Sequence, residues 1–250
     1  NTGRWVGGGS AVDSRVSNIV SYLCENAGLL DYNTDYIADN DDVAVPGFVM
    51  NSVAPVRQSL EMLAAAFFLD IVESTTTLYF VSRNSLINGG PAAIIPESDL
   101  SARHITSSVP EPLDITTQQE VEIPKELAGR YLDASRDYYE ASQRSVKQNT
   151  GSIGRVELDL TALSLTDSQA KLAAIGNHMF AWAERKKYKF TLPLKYAYLD
   201  CGDMVQINFS SQSHFVRITK MNYGAGYFDV EGVGQDFTGI PFQISSDGYS

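Results

Sequence analysis

The side chains best suited to chemistry in this chain are its carboxylates. Their densest run is Asp31-Tyr32-Asn33-Thr34-Asp35-Tyr36-Ile37-Ala38-Asp39-Asn40-Asp41-Asp42. Oxygen donors stand at its first, third, fifth and ninth positions, as in a calcium-binding loop, and an acid closes it. The sixth position, where such a loop turns on Gly, is Tyr36, and the bidentate Glu of the twelfth is replaced by Asp42. Asp and Asn also crowd ordinary turns, because their side chains bond neighbouring backbone. A turn-rich loop is therefore the expectation, and a cation site the lesser reading.

No other grouping carries a reaction. His104, His178 and His214 are expected in a linker, a helix and a strand, with no pair at metal-ligand spacing. Gly151-Ser152-Ile153-Gly154 is not a nucleophile elbow. Gly7-Gly8-Gly9-Ser10 and Gly232-Val233-Gly234 lack the Lys or helix start of a phosphate cradle. Glu120 with Glu122, and Asp200 with Asp203, are pairs that a chain holding 30 acids supplies by chance. Glycosidic acid–base work needs two carboxyls converging across a cleft. Cys24, expected in the core, and Cys201 are too few for a stapled scaffold or a four-ligand zinc site. No catalytic, metal or cofactor-binding residue is assigned, and no cofactor is expected. The richest cluster of binding side chains is Arg136-Asp137-Tyr138-Tyr139, since Tyr and Arg dominate protein–protein hot spots.

Periodicity gives the elements around these residues. Arg4-Trp5-Val6 reads as a strand end running into a Gly-rich connector, residues 1–10. Val16, Ile19, Val20, Leu23 and Ala27 recur at helical spacing, with Asp13 or Ser14 as the cap and Gly28 as the stop. A short strand is expected around Val43–Met50. A second helix follows, with Pro55 in its first turn and Val56, Leu60, Leu63, Ala64 and Phe67 on one stripe. Phe68–Glu73 and Leu78–Arg83 then form a hairpin.

Prolines 91, 96, 110 and 112 punctuate a long stretch read as a linker over 86–117. Beyond it strands are expected at Arg130–Asp133, Arg155–Leu160, Tyr188–Leu194, Met204–Phe209, Phe215–Met221 and Tyr227–Glu231. One helix interrupts them, opened by the capping box Thr166-Asp167-Ser168-Gln169, with Leu172, Ala173, Gly176, Met179, Phe180 and Ala183 on its inner stripe. The fold class is α+β. A small α+β domain (11–85) is followed by an antiparallel β-barrel or sandwich domain with one inserted helix (118–240) and a tail (241–250).

The 250 residues carry a formal net charge of −11, of which the first hundred hold −8. That balance speaks against a nucleic-acid partner, which calls for a basic face, and against docking on anionic lipid. No apolar run approaches the ~20 residues of a membrane span, so no membrane anchor is expected. The first ten residues do not read as a signal peptide, and without an initiating Met the chain reads as part of a longer one.

Particular strings, in order, resemble a known family. Leu23-Cys24-Glu25-Asn26-Ala27-Gly28-Leu29 is followed by Val45-Pro46-Gly47-Phe48-Val49, Arg57-Gln58-Ser59-Leu60-Glu61-Met62-Leu63-Ala64-Ala65-Ala66-Phe67 and Leu78-Tyr79-Phe80-Val81-Ser82-Arg83. Then come Glu122-Ile123-Pro124, Tyr131-Leu132-Asp133, Arg136-Asp137-Tyr138, Ala181-Trp182-Ala183-Glu184-Arg185, Phe190-Thr191-Leu192-Pro193, Leu199-Asp200-Cys201-Gly202-Asp203-Met204-Val205 and Val216-Arg217-Ile218. This succession, from Val12 to Asp236, is similar to the hub component of phage and gene-transfer-agent tail tips.

The resemblance implies a non-enzymatic virion protein of the baseplate hub, assembled in the bacterial host cytoplasm. It implies a homotrimer whose barrels continue the tail tube and join distal tail, tape-measure and fibre or spike proteins. DNA would pass an acidic lumen without specific binding. Family members are usually longer, and some carry a glycosidase-like barrel upstream that this chain lacks. The alternatives are a cell-wall (peptidoglycan) hydrolase fragment and a carbohydrate- or receptor-binding module.

Overall fold

The computed structural model describes residues 4–6, 14–37, 42–50, 55–74, 76–83, 90–103, 111–148, 150–224 and 226–235. In chain order the elements are β1 (Arg4–Val6), α1 (Val16–Asn26), β2 (Tyr32–Asn33), β3 (Gly47–Met50), α2 (Val56–Phe67), β4 (Leu69–Ser74), β5 (Thr77–Ser82), β6 (Ala93–Pro96) and β7 (Asp114–Thr117). They continue with β8 (Glu126–Asp133), β9 (Glu140–Val146), β10 (Arg155–Leu165), α3 (Asp167–Ala183), β11 (Lys186–Pro193), β12 (Met204–Phe209), β13 (Gln212–Tyr223) and β14 (Tyr227–Gly234).

The helices form where the apolar spacing puts them. Val16, Ile19, Val20, Leu23 and Cys24 are fully buried along α1, and Gly28 ends it at φ 76° with Leu29 N–H on the Cys24 carbonyl. Its start differs from the expectation. Ser14 gives no cap; the cap position is Arg15, and Asp42 reaches across instead to accept from the Ser17 amide (2.8 Å) and hydroxyl (2.9 Å). Asp13 lies outside the described residues. Pro55 sits just before α2 rather than in its first turn, and α2 stops at Phe68, which is left-handed at φ 55°. The capping box of α3 forms as read, Thr166 Oγ1 accepting from Gln169 N–H and Gln169 Oε1 from Thr166 N–H. This helix is buried on more than one stripe, because β8 and β9 pack on one side and α2 on another.

Three sheets result. The first runs β1-β3-β10-β8-β9, antiparallel except for β8 beside β10, which are parallel. The second runs β6-β12-β13-β14-β11-β7, antiparallel apart from β6 beside β12. The third is the small set β2-β5-β4. The fold is α+β with sandwich-like sheets. Among the described residues no ladder joins β6 to β7, so the six-stranded sheet stays open rather than closing into the barrel that the sequence offered as one form.

Two apolar cores do not divide where the expected boundary at 118 lies. The first gathers α1, α2, Leu69 and Phe80 together with Tyr131, Leu160, Leu163, Leu165, Ala170 and Ala173. The second joins Ala93, Ile95, Leu100 and Leu113 to residues of 188–230. The segment read as a linker thus supplies both edge strands of the larger sheet and four buried side chains to its core. Its prolines permit this, because Pro96 ends the edge strand β6, where a missing N–H is tolerated.

Candidate functional site

Where it is described, the acidic loop uses the side-chain oxygens of Asn33, Asp35 and Asp42 internally. Asn33 Oδ1 accepts from the Asp35 amide at 2.8 Å, and Asn33 Nδ2 donates to Asp35 Oδ2 at 3.2 Å. Asp42 is the cap of α1 and lies 3.6 Å from Arg15. The third, fifth and last positions are therefore a turn and a helix cap, while Asp31 at the first position is exposed; positions 38–41 lie outside the described residues. Among the described residues no group of three His, Cys, Asp or Glu side chains is placed to hold a metal.

The carboxylate pairs are committed to local contacts. Asp203 Oδ2 accepts from the Asp200 amide at 2.9 Å, while Asp200 Oδ2 accepts from the Ser74 hydroxyl. Burial pushes the Asp203 carboxyl above the usual carboxylate range. Glu120 accepts from Arg185 at 3.2 Å. Each pair staples a turn or an edge.

The Arg136–Tyr139 cluster caps the β8–β9 hairpin. Asp133, fully buried at the end of β8, organises the tip. Its Oδ1 accepts from the Ser135 amide (2.8 Å) and hydroxyl (2.7 Å), and its carbonyl accepts from the Arg136 and Tyr138 amides. Those Ser135 bonds, then Arg136 at 3.4 Å, hold the Asp133 carboxyl below its ordinary value. Asp137 and Tyr138 are both left-handed, at φ 51° and 59°, a conformation that costs roughly 1–2 kcal/mol for each such residue. The tip thereby holds Tyr138 and Tyr139 outward, 47% and 74% exposed.

A larger feature went unread in the sequence. Between the C-terminal half of α3, the end of β9 and the starts of β11 and β13 lies a groove of about 950 Å³. Its floor is His178 and Trp182. His178, in a helix as expected, is buried there, with Nδ1 2.8 Å from Ser145 Oγ and Nε2 3.0 Å from the Pro124 carbonyl. The Trp182 indole N–H donates to the same carbonyl at 3.1 Å. Lys147 lies over the Trp182 ring at 4.5 Å, and Arg185 stands 5.8 Å from it. Tyr188 and His214 line the opposite wall, 3.4 Å apart at hydroxyl and Nδ1. Burial lowers the pKa of both histidines, with Lys147 adding to the effect at His178 and Lys186 at His214. His104 lies outside the described residues. The nearest sequence signal for the groove is the basic run Arg185-Lys186-Lys187-Tyr188-Lys189, which follows the end of α3.

A second charged junction is closed. Arg217 is 8% exposed and bonds Asp70 Oδ2 at 2.9 Å and Glu184 Oε1 at 2.7 Å. Arg83 bonds Asp70 Oδ1 at 2.8 Å and rests on the Phe180 ring at 4.8 Å. The four side chains come from β13, β4, the end of α3 and the end of β5, so they tie the two cores together.

Residues 55–221, about two thirds of the chain, match the family described as "Putative phage tail protein". No curated protein matches the sequence. Among solved structures the chain is similar to one from the virion of a native gene transfer agent (GTA) particle, with 22% identity and a TM-score of 0.78 over 96% of this chain and 53% of that one. The tail protein from Neisseria meningitidis MC58 is similar at 12% identity and a TM-score of 0.57, over 94% of this chain and 69% of that one. The 43 kDa tail protein of prophage MuSo2 from Shewanella oneidensis is similar at 8% identity and a TM-score of 0.57, over 89% and 62%. At these identities the likeness is one of fold, and the chain spans about half the length of the gene-transfer-agent chain. On the family match, the chain belongs to the phage tail protein family.

Proposed function

We propose that this chain is a non-enzymatic structural part of the hub at the tip of a phage tail or related particle. Three copies form a ring that continues the tail tube and joins distal tail, tape-measure and fibre or spike proteins. The family match over 55–221 carries the reading, and it is supported by a fold shared across both cores with a gene-transfer-agent virion chain. The net charge of −11 suits a lumen along which DNA slides without adhering. The exposed Tyr138 and Tyr139, held out by a strained tip, are the proposed contact to a neighbouring subunit.

The test is localisation and complementation. Gold-labelled antibody against this chain should mark tail tips, and particles lacking it should stop at an incomplete tail. Particles that eject DNA normally without it would end the reading, as would a channel lined by Lys and Arg. Among the described residues no contact favours the hydrolase or carbohydrate-binding readings. A zymogram showing lysis abolished by one Asp or Glu change would restore the former.

A further inference from the structure

The groove beside α3 collects cations in a chain that is otherwise acidic. Among the described residues neither Lys147 nor Lys186 has a carboxylate at ion-pair distance, and Arg185 shares the groove with the single acid Glu120. The groove is open, and Val146, at the end of β9, lines it with 54% of its surface exposed. Trp, Tyr and Arg gathered in one groove form the pattern of a protein-binding hot spot, whereas a polynucleotide site would need a long basic track.

The complementary surface is on the same chain. Between Arg15 and Arg57 there is no Lys or Arg, and six acids fall in that interval. Within its described part Asp31 and Asp35 are exposed, flanked by Leu30 at 81% and Tyr36 at 55% exposure. Acids interleaved with exposed apolar side chains match cations interleaved with exposed apolar side chains.

We infer that the α3 groove receives the acidic Leu30–Tyr36 surface of a second copy of this chain, a head-to-tail contact. Lys147 and Lys186 face Asp31 and Asp35, and Leu30 and Tyr36 pack on Val146 and Trp182. The inference rests on the ring reading above, since a head-to-tail contact closes only when repeated around an axis.

The experiment is a charge swap on the full chain, read by sedimentation at low and high salt, with melting curves to establish folding. Wild type should self-associate, more weakly at high salt. K147E/K186E and D31K/D35K should each weaken association by about tenfold, and combining all four substitutions in one chain should recover it, because every contact of the ring then pairs reversed charges. A wild-type chain that stays monomeric, or a folded four-substitution chain that does not recover association, would overturn the inference. So would a single-stranded oligonucleotide bound by wild type and lost in K147E/K186E, because the groove would then serve nucleic acid. Wild-type association without recovery in the four-substitution chain sinks only this contact and leaves the tail reading standing. Recovery by a chain that antibody never finds on tails supports the contact and sinks the tail reading.

Discussion

The two charged junctions treat the same chemistry in opposite ways. At the Asp70–Arg217–Glu184–Arg83 cluster, two guanidinium groups meet two carboxylates, with Asp70 and Arg217 both under 10% exposed. In the α3 groove, cations stand over aromatic rings and face open space. Both involve the C-terminal end of α3, because Phe180 and Glu184 point to one junction while His178 and Trp182 point to the other. A paired, buried cluster resists separation of the two cores; unpaired cations at a groove are available to something else. The first is a fastening and the second a receptor.

Breaking the fastening should have the largest effect. Asp70→Ala leaves Arg217 and Arg83 without their shared carboxylate and should lower unfolding free energy by about 3–5 kcal/mol in urea titration. Replacing the cluster by apolar residues of similar volume, D70L/R217M, should cost less than either single change, since no buried charge is then orphaned.

Next in size is Gly176→Ala. A Cβ there would lie 2.3 Å from the Phe68 ring, itself packed on Phe180 with centroids 5.6 Å apart. Overpacking of this kind should cost about 1–3 kcal/mol, measured as a fall in urea midpoint.

A pH scan sharpens the contrast at intermediate size. His178 and His214 have native pKa values lowered by burial, so the unfolded chain binds protons first as the pH falls. Their contribution is complete above about pH 6.5 and is lost as the pH drops below it toward the lowered native values. The melting temperature should fall between pH 7 and 5.5, and His178→Asn should flatten that fall. An unchanged slope in the variant would assign the loss to carboxylates.

The smallest expected effect is at the receptor itself. Lys186→Glu should change stability by less than about 0.5 kcal/mol, as at other surface positions, while altering association. A large loss of stability there would make the groove a second fastening.

The parts of the fold that were legible are those written in apolar period. Val16 to Leu23 on α1, Leu60 and Leu63 on α2, and Tyr188, Phe190 and Leu192 on β11 are buried as their spacing predicts. Strand β9 was missed because its inward positions are Ala141, Gln143 and Ser145, and backbone pairing with β8 rather than an apolar face makes it a strand. Strand β7 is exposed at all four positions and offered no pattern. The Arg136–Tyr139 tip was found from composition alone. The groove was not, because His178, Lys147 and Tyr188 meet only through tertiary packing, and no local rule links residues in a helix, a strand end and another sheet.

One feature of the topology bears on how the molecule is made. The polypeptide passes from the first core to the second after β5, returns after β7, and leaves again after α3. A nascent chain leaving the ribosome therefore holds β6 and β7 before their partners β12 and β11 exist. The first core is complete once α3 has emerged, but the second cannot close until β11 to β14 follow. Emergent strand edges would stay uncovered until nearly the whole molecule has been translated, which favours slow, chaperone-attended maturation.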